Sequence, residues 1–493
     1  MVSEQIRINL KKKNLLMFVV ILLFLVLVIP TFVRFYQGND SLIGSEPYYH
    51  FRAARELLQV GEYNPFDAPE DISDMSHSPR DYSFNPYHYL LVYASKIVSL
   101  PTASRILPLI LGMLSIFLFN LLLKLFIEED YKRKIILILL VMNPAFIYTF
   151  TVSTPHSAAI ALTLLGTFFF TRKGLHNLIL SVFCLAIVSF FSLFNTLLAI
   201  LLLLAYILTK KELQNRFIIV VFLLALFSFA KRTSFFYNYT YTPTINIVGN
   251  LFSDLGGILG FGIFSVILAI YGVASNWRRK SDFILFFVLS LMLISALLFA
   301  GNMPNMYLMF FVAIAAGIGF VKLYELQWSV TSVKNLALLI LVCGLMFSTV
   351  SYMTRLASME PDKNTIESLS WMGSNTFKNG FVLSHYDYGY MISTVARNPV
   401  VADSLSASGY DQQFFYKVQD SMFYGRELKE TRQLFDVYNI DYVYITPEMK
   451  SGKVWRRSNE GLLFLFTNNR TFKNIYDKDG FEVWEAINTT VAK

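Results

Sequence analysis

Residues 14–33 read NLLMFVVILLFLVLVIPTFV, twenty positions without one charged side chain. A helix needs roughly 20 apolar residues to cross the hydrocarbon core of a bilayer, so this run is long enough to span it. Lys11, Lys12 and Lys13 precede it and give the start of the chain the look of a secretion signal. The apolar run is too long for that and lacks a small-residue cleavage pattern, which predicts an uncleaved first transmembrane helix. Outward from it, similar runs recur at about 105–126, 135–151, 157–171, 177–192, 196–209, 217–230, 256–275, 282–300, 304–322 and 335–351, about eleven helices in all. The 177–192 and 196–209 runs are separated only by a short SLFN break.

Composition agrees. The chain has 493 residues, of which 55% are hydrophobic and 15% charged, against about 25% charged in soluble domains; its mean hydropathy is +0.49. The net charge of +8 comes from lysines and arginines scattered between apolar blocks. No basic helix with interleaved aromatics occurs, which argues against a nucleic-acid partner. Cys184 and Cys343 both fall inside apolar runs, too few for a disulfide framework or a CxxC metal site.

Basic residues set the expected orientation. Lys11–Lys13, Lys132–Lys134, Arg172–Lys173, Lys210–Lys211, Arg278–Lys280, Lys322 and Lys334 fall on one alternating set of loops, with Lys231 and Arg232 as exceptions. The positive-inside rule makes that set cytoplasmic. The N-terminus is then cytoplasmic, and three segments lie outside: loop 37–103, loop 231–255 and everything after about 352. Residues 1–351 thus read as a polytopic α-helical membrane domain carrying the two external loops. Residues 352–493 read as a small extracytoplasmic α/β domain, with strand-like FVLS, PVVA, DYVYIT and FEVWEAI and the helical GRELKETRQLFDVY. No apolar core carries Asp, Glu, Arg or His at its centre. Transporters and pumps rely on such intramembrane groups, so the chemistry is expected at the outer membrane surface.

Three short clusters project there. GSEPYYHFRAAREL (44–57) puts Glu46 at the start of a helix with Pro47 behind it, near the positive end of the dipole. Arg52 and Arg55 are three apart and share a face, so they could meet a phosphate together or snorkel to anionic lipids. VSTPHSA (152–158) is a tight turn in which Ser153 or Thr154 could cap the next helix and expose His156. VLSHYDYGYMI (382–392) is a strand, a turn and a helix start, with Asp387 among aromatic rings. In each case a purely structural role is open: Glu46 or Asp387 as a helix cap, His156 as a turn residue, and the tyrosines as an interfacial belt. Of six histidines only His176 is expected inside; His50, His77, His88, His156 and His385 are external. Carboxylate and imidazole together suit a divalent cation such as Mn.

The pairing of SEPYYHFRAAREL after the first helix with SLSWMGSNTFKNGFVLSHYDYGYMISTVARNPVVAD near the end of the membrane region resembles the catalytic subunit of oligosaccharyltransferase. The nearest type is the single-chain archaeal and bacterial enzyme of the GT-C glycosyltransferase superfamily. Glu46 to Arg55 matches the family's first acidic motif, and Ser384 to Tyr390 matches its WWDYG motif with His-Tyr for Trp-Trp. The resemblance implies a GT-C fold and transfer of a glycan from a polyprenyl (dolichyl) phosphate or pyrophosphate carrier to the Asn of Asn-X-Ser/Thr sequons, with Mn or Mg as cofactor. It implies Glu46 and Asp387 as catalytic residues; Glu46 with His156, from two separate loops, could supply metal ligands. It implies acceptor binding by His385, Tyr386, Asp387, Tyr388 and Gly389; His50, Arg52 and Arg55 are candidates for lipid-phosphate binding from their shared helix. The partners implied are a lipid-linked oligosaccharide, an acceptor protein or peptide and membrane lipids, in an archaeal cell membrane.

The chain also departs from that family. STPHSA offers His156 where a second acidic motif would fall, and loop 231–255 has only Asp254 where the family has a loop glutamate. GNMPNMY (301–307) lacks the family's arginine, and the family has thirteen helices. Two other readings therefore stay open: a GT-C transferase that uses a polyprenyl-phosphate sugar and a non-sequon acceptor, and a non-catalytic relative that binds lipid-linked glycan.

Overall fold

The computed structural model describes residues 12–60, 85–191, 193–209, 214–230, 249, 251–276, 290–294, 303–403 and 412–487. Among these residues the chain divides into two compact units. One holds the first helix to Tyr36 and resumes from Thr102 to Ser358; the other holds residues from Gln37 to Pro101 and from Met359 onward.

The first unit is helical. Its first helix, Lys12–Tyr36, buries Val19, Leu23, Val26 and Leu27 along one stripe, while Phe18, Phe24, Phe32 and Phe35 are exposed. That spacing is the 3.6-residue period of a helix with one packed face. Exposed phenylalanines in such a row suit lipid rather than water. Among the described residues, four helices are long and apolar enough to cross a membrane: Met17–Tyr36, Leu100–Leu123, Asn305–Glu325 and Thr331–Ala357. The expected single run at 135–151 is instead two helices, Asp130–Val141 and Pro144–Thr151, bent by 67°. The cause is local: Asn143 accepts the Ala145 N–H at 3.0 Å, and Pro144 starts a new helix that cannot continue the old one. Pro155–Thr171, Leu175–Phe191, Asn215–Ala225 and Ile263–Asn276 are shorter apolar helices. The expected 282–300 run lies mostly outside the described residues.

Close packing relies on small residues. A Cβ on Gly272 would sit 2.0 Å from the Ala315 oxygen, and one on Gly319 would sit 2.1 Å from the Leu268 oxygen. Helices Ile263–Asn276 and Asn305–Glu325 therefore meet backbone to backbone, as small residues allow between membrane helices. Asp254, the acid noted in the second external loop, is consumed structurally. Its carboxylate accepts the Ile263 N–H at 2.7 Å and the Ser348 hydroxyl at 2.6 Å.

The second unit contains a four-stranded sheet in the order β1-β2-β4-β3, with β1 Phe381–Leu383, β2 Ile440–Ile445, β3 Phe472–Lys478 and β4 Phe481–Ala486. β1 runs parallel to β2, and β4 lies antiparallel to both β2 and β3. β2 is central, and Val443, Tyr444 and Ile445 are fully buried in it. Its run IDYVYI has the near-continuous apolar character of a strand covered on both faces. β3 and β4 form a hairpin through Asp479 and Gly480, both at positive φ, the Asp-Gly pattern that such turns favour. PVVA, read as a strand, makes only one bridge, Val382 to Val400. Helices Lys363–Asn375, Gln412–Tyr424 and Leu428–Val437 complete the C-terminal part. Helices Glu46–Val60 and Pro86–Ser95 also belong to this unit.

Candidate active site

The helix Glu46–Val60 is anchored at its entry. Gly44, in the left-handed region with φ of 86°, donates its N–H to the Glu360 oxygen at 2.8 Å. Asn39 donates to the Pro361 oxygen at 3.1 Å. Glu46 is the first helical residue, and its carboxylate is 41% exposed at the positive end of the helix dipole. One turn on, His50 Nε2 lies 3.5 Å from Glu46 Oε1. His50 is buried, and its Nδ1 lies 3.0 Å from Nε2 of His88, which is buried too. Burial, then the neighbouring His50, holds His88 well below the usual imidazole range. His88 is therefore neutral, and a single N–H lies between its Nε2 and Nδ1 of His50.

The two arginines are engaged. Arg52 Nε pairs with Glu56 Oε1 at 2.6 Å, one turn along the helix. Arg55 is half-buried and donates to the Thr394 oxygen at 3.3 Å. Thr394 in turn donates its hydroxyl to the Tyr48 oxygen at 3.1 Å, and the Tyr49 and Tyr390 rings lie 5.6 Å apart. These contacts join the Glu46 helix to the segment that follows the HYDYG turn.

That turn follows β1. His385 caps the short helix Tyr386–Tyr388, its Nδ1 accepting the Asp387 N–H at 3.3 Å. Burial pushes the His385 pKa down to about 4, with Asp387 opposing the shift and Lys453 adding to it. A neutral ring keeps a lone pair on Nδ1, as the cap requires. Because His385 supplies the cap, the Asp387 carboxylate is left 41% exposed, 3.4 Å from His385 Nδ1 and 3.0 Å from Lys453 Nζ. Lys453 also stands 4.6 Å above the Tyr388 ring. Gly389 is demanded by space, since a Cβ there would lie 2.6 Å from both the Ala402 oxygen and Asp403 Cβ.

Behind the turn, the buried Tyr388 places its hydroxyl among three groups. It lies 3.2 Å from Glu360 Oε1, hydrogen-bonds to Glu448 Oε2, and accepts from the Thr446 hydroxyl at 3.2 Å. Burial, reinforced by Glu448, pushes the Glu360 carboxyl up to about 8. Glu448 is held below the usual range, first by its hydrogen bond with Glu360.

Of the residues singled out in the sequence, Glu46, His50, Arg52, Arg55 and His385 to Gly389 belong to one unit, while His156 belongs to the other. His156 follows Thr154 and Pro155 at a helix start, as expected, but it is half-buried rather than exposed. Thr154 occupies the cap position without making a side-chain cap bond. His77 lies outside the described residues. Lys453, Glu448, Glu360 and the His50 contact of His88 were not foreseen; 60 residues or more separate Asp387 or Tyr388 from the partners at 448–453. Only the glycine between basic residues in MKSGK hinted at a turn, and Gly452 does take φ of 121°. Among the described residues no group of three or more His, Cys, Asp or Glu could hold a metal ion. Those residues thus do not fit a complete coordination set.

No protein-family model and no curated protein matches the chain in sequence. Solved structures do match in fold. An oligosaccharyltransferase from Archaeoglobus fulgidus, tethered to an acceptor peptide containing the NVT sequon, superposes with a TM-score of 0.62 at 14% identity, covering 97% of this chain and 74% of that one. The same enzyme in complex with Zn and sulfate gives 0.60 at 16%, covering 94% and 73%. ArnT from Cupriavidus metallidurans bound to undecaprenyl phosphate gives 0.54 at 10%, covering 96% and 98%. The chain shares the fold of these membrane proteins.

Proposed function

We propose that this chain is a membrane glycosyltransferase that moves a glycan from a polyprenyl (dolichyl) phosphate or pyrophosphate carrier to the Asn of Asn-X-Ser/Thr sequons on the extracytoplasmic face. The observation that carries the reading is the joining of the Glu46 helix to the HYDYG segment within one unit, through Thr394, Tyr48, Tyr49 and Tyr390. The shared fold supports it, because the Archaeoglobus oligosaccharyltransferase holds a sequon peptide and ArnT holds undecaprenyl phosphate.

In this reading the acceptor Asn nitrogen attacks the anomeric carbon of the glycan. A carbon–nitrogen bond forms, and the carbon–oxygen bond to the carrier phosphate breaks, its electron pair leaving with the phosphate. The amide nitrogen is a poor nucleophile because its lone pair is delocalised. Glu46 accepts its N–H and takes the proton as the bond forms, which is general-base work by a carboxylate. Asp387, flanked by His385 and Tyr386, accepts the sequon hydroxyl, and Tyr388 and Gly389 hold the turn in shape. His50, Arg52 and Arg55 meet the donor phosphate. The Arg52–Glu56 pair is a surface i,i+4 contact worth about 0–1 kcal/mol, so a phosphate can displace it. A divalent cation, Mn or Mg, belongs to the same reading, with Glu46 as a proposed carboxylate ligand; Zn in one Archaeoglobus structure supports a divalent ion in this fold.

A second reading is favoured by one observation. ArnT, which holds undecaprenyl phosphate, is matched over nearly its whole length, so a polyprenyl-phosphate sugar and a non-sequon acceptor fit the same architecture. The experiment that separates them incubates the purified chain with lipid-linked oligosaccharide and an Asn-X-Thr peptide, with and without a chelator. Glycopeptide should form, stop with the chelator, and vanish in Glu46→Ala and Asp387→Ala. Product surviving both substitutions overturns the site, and transfer only to a non-peptide acceptor moves the function to the second reading.

A further inference from the structure

We propose that Glu360 and Glu448 share one proton on the Tyr388 hydroxyl and so leave Lys453 to Asp387, which makes the two glutamates positioning residues for the motif carboxylate. The role assigned to Asp387 rests on the transferase reading; the shared proton does not.

The geometry imposes a proton count. A phenol has one proton to give and lone pairs to receive. Thr446 donates into the Tyr388 oxygen, and Tyr388 donates to Glu448. That leaves Glu360 Oε1, 3.2 Å from the same oxygen, with no phenolic proton to accept. An ionised Glu360 there would face the Glu448 carboxylate without a proton between them, and two carboxylates at one site do not both ionise readily. A protonated Glu360 resolves the conflict, donating to the shared oxygen or to Glu448.

Other charged and titratable groups face this cluster. Lys453 and Glu448 come from the segment after β2, Asp387 and His385 from the turn, Tyr444 from β2, and Asp362 from the start of the next helix. Tyr388 and Tyr444 are both raised above the usual phenol range by burial, so both stay neutral. Asp362 is occupied as a cap, accepting the Thr365 N–H at 2.7 Å. His385 is neutral. Among the described residues Lys453 is thus the cation within reach of both the glutamate pair and Asp387. With one proton on the pair, Lys453 faces a single charge on each side and pairs with Asp387. When that proton leaves to solvent base, the pair carries two negative charges and draws Lys453 away.

The signs follow. Glu360 is raised from its ordinary value near 4.5 to about 8. Its contribution to stability is complete below the unfolded value and is lost as pH rises through the folded one. The melting temperature of the full chain in nanodiscs should fall from about pH 6.5, above which the lowered His88 and His385 no longer oppose it, to about pH 8 and then level off, and Glu360→Gln should remove that slope. Glu448→Gln should reduce it, leaving only the part that burial of Glu360 supplies, and serves if Glu360→Gln fails to fold. The melting-temperature coupling between Glu360→Gln and Lys453→Met should grow between pH 6 and pH 9. The rate of transfer should drop about tenfold to a lower plateau through pH 8, a step absent from both Glu360→Gln and Lys453→Met. An unchanged slope in both Gln variants overturns the shared proton. A pH-independent coupling, or a step that persists in Lys453→Met, overturns the link to Asp387. The expected slopes and coupling without any transfer would sustain the shared proton and sink only the transferase reading.

Discussion

The two carboxylates at the heart of the site keep different company. Asp387 has an ammonium 3.0 Å away and a neutral imidazole at its back. Glu46 sits at the start of a helix, 3.5 Å from Nε2 of His50, which in turn contacts the buried His88. A carboxylate already matched by a lysine is a weak proton acceptor and a good fixed partner for a hydroxyl. One at a helix N-terminus sits where the dipole favours negative charge. In the proposed reading the contrast gives proton work to Glu46 and recognition to Asp387, although the two acids look alike in a list of carboxylates expected outside.

Breaking the contrast at the Glu46 end should have the largest effect. Glu46→Gln removes the charge but not the shape, and kcat for glycopeptide formation should fall about 100- to 1,000-fold with little change in peptide KM. A loss below tenfold would mean that Glu46 only starts a helix. Next, Gly389→Ala forces a Cβ against Ala402 and Asp403 and should cost about 1–3 kcal/mol of stability, read as a lower melting temperature. Unchanged melting would mean that the turn can shift and does not hold Asp387 rigidly. The smallest effect is expected from Arg52→Met, which should raise the KM for the lipid donor roughly fivefold, about 1 kcal/mol, and leave kcat alone. No change would remove Arg52 from the donor site.

Much of the helical architecture could be read from run length alone, because twenty uncharged residues such as 14–33 have few other destinations. The bend at 142–143 was written in Asn143–Pro144, but apolar periodicity runs straight across it. In the second unit, buried strands β1 and β2 stood out as apolar runs, whereas β3, FKNIYDK, is mostly polar and exposed and was not recognised despite the Asp-Gly turn after it. The motifs marked where the site would form. Their electrostatic partners could not be read, because Lys453, Glu448 and Glu360 reach the turn only through tertiary contacts. His88, 38 residues from His50, was visible only as one more external histidine.

The division of labour between the two acids is tested most directly by one ratio, kcat/KM for an Asn-X-Thr peptide over that for the matching Asn-X-Ala peptide. Asp387→Asn should collapse this preference about 10- to 100-fold, since it removes a charged partner of the hydroxyl, while Glu46→Gln should slow both peptides and leave the ratio intact. A preference that survives Asp387→Asn, or one that disappears in Glu46→Gln, would contradict the account.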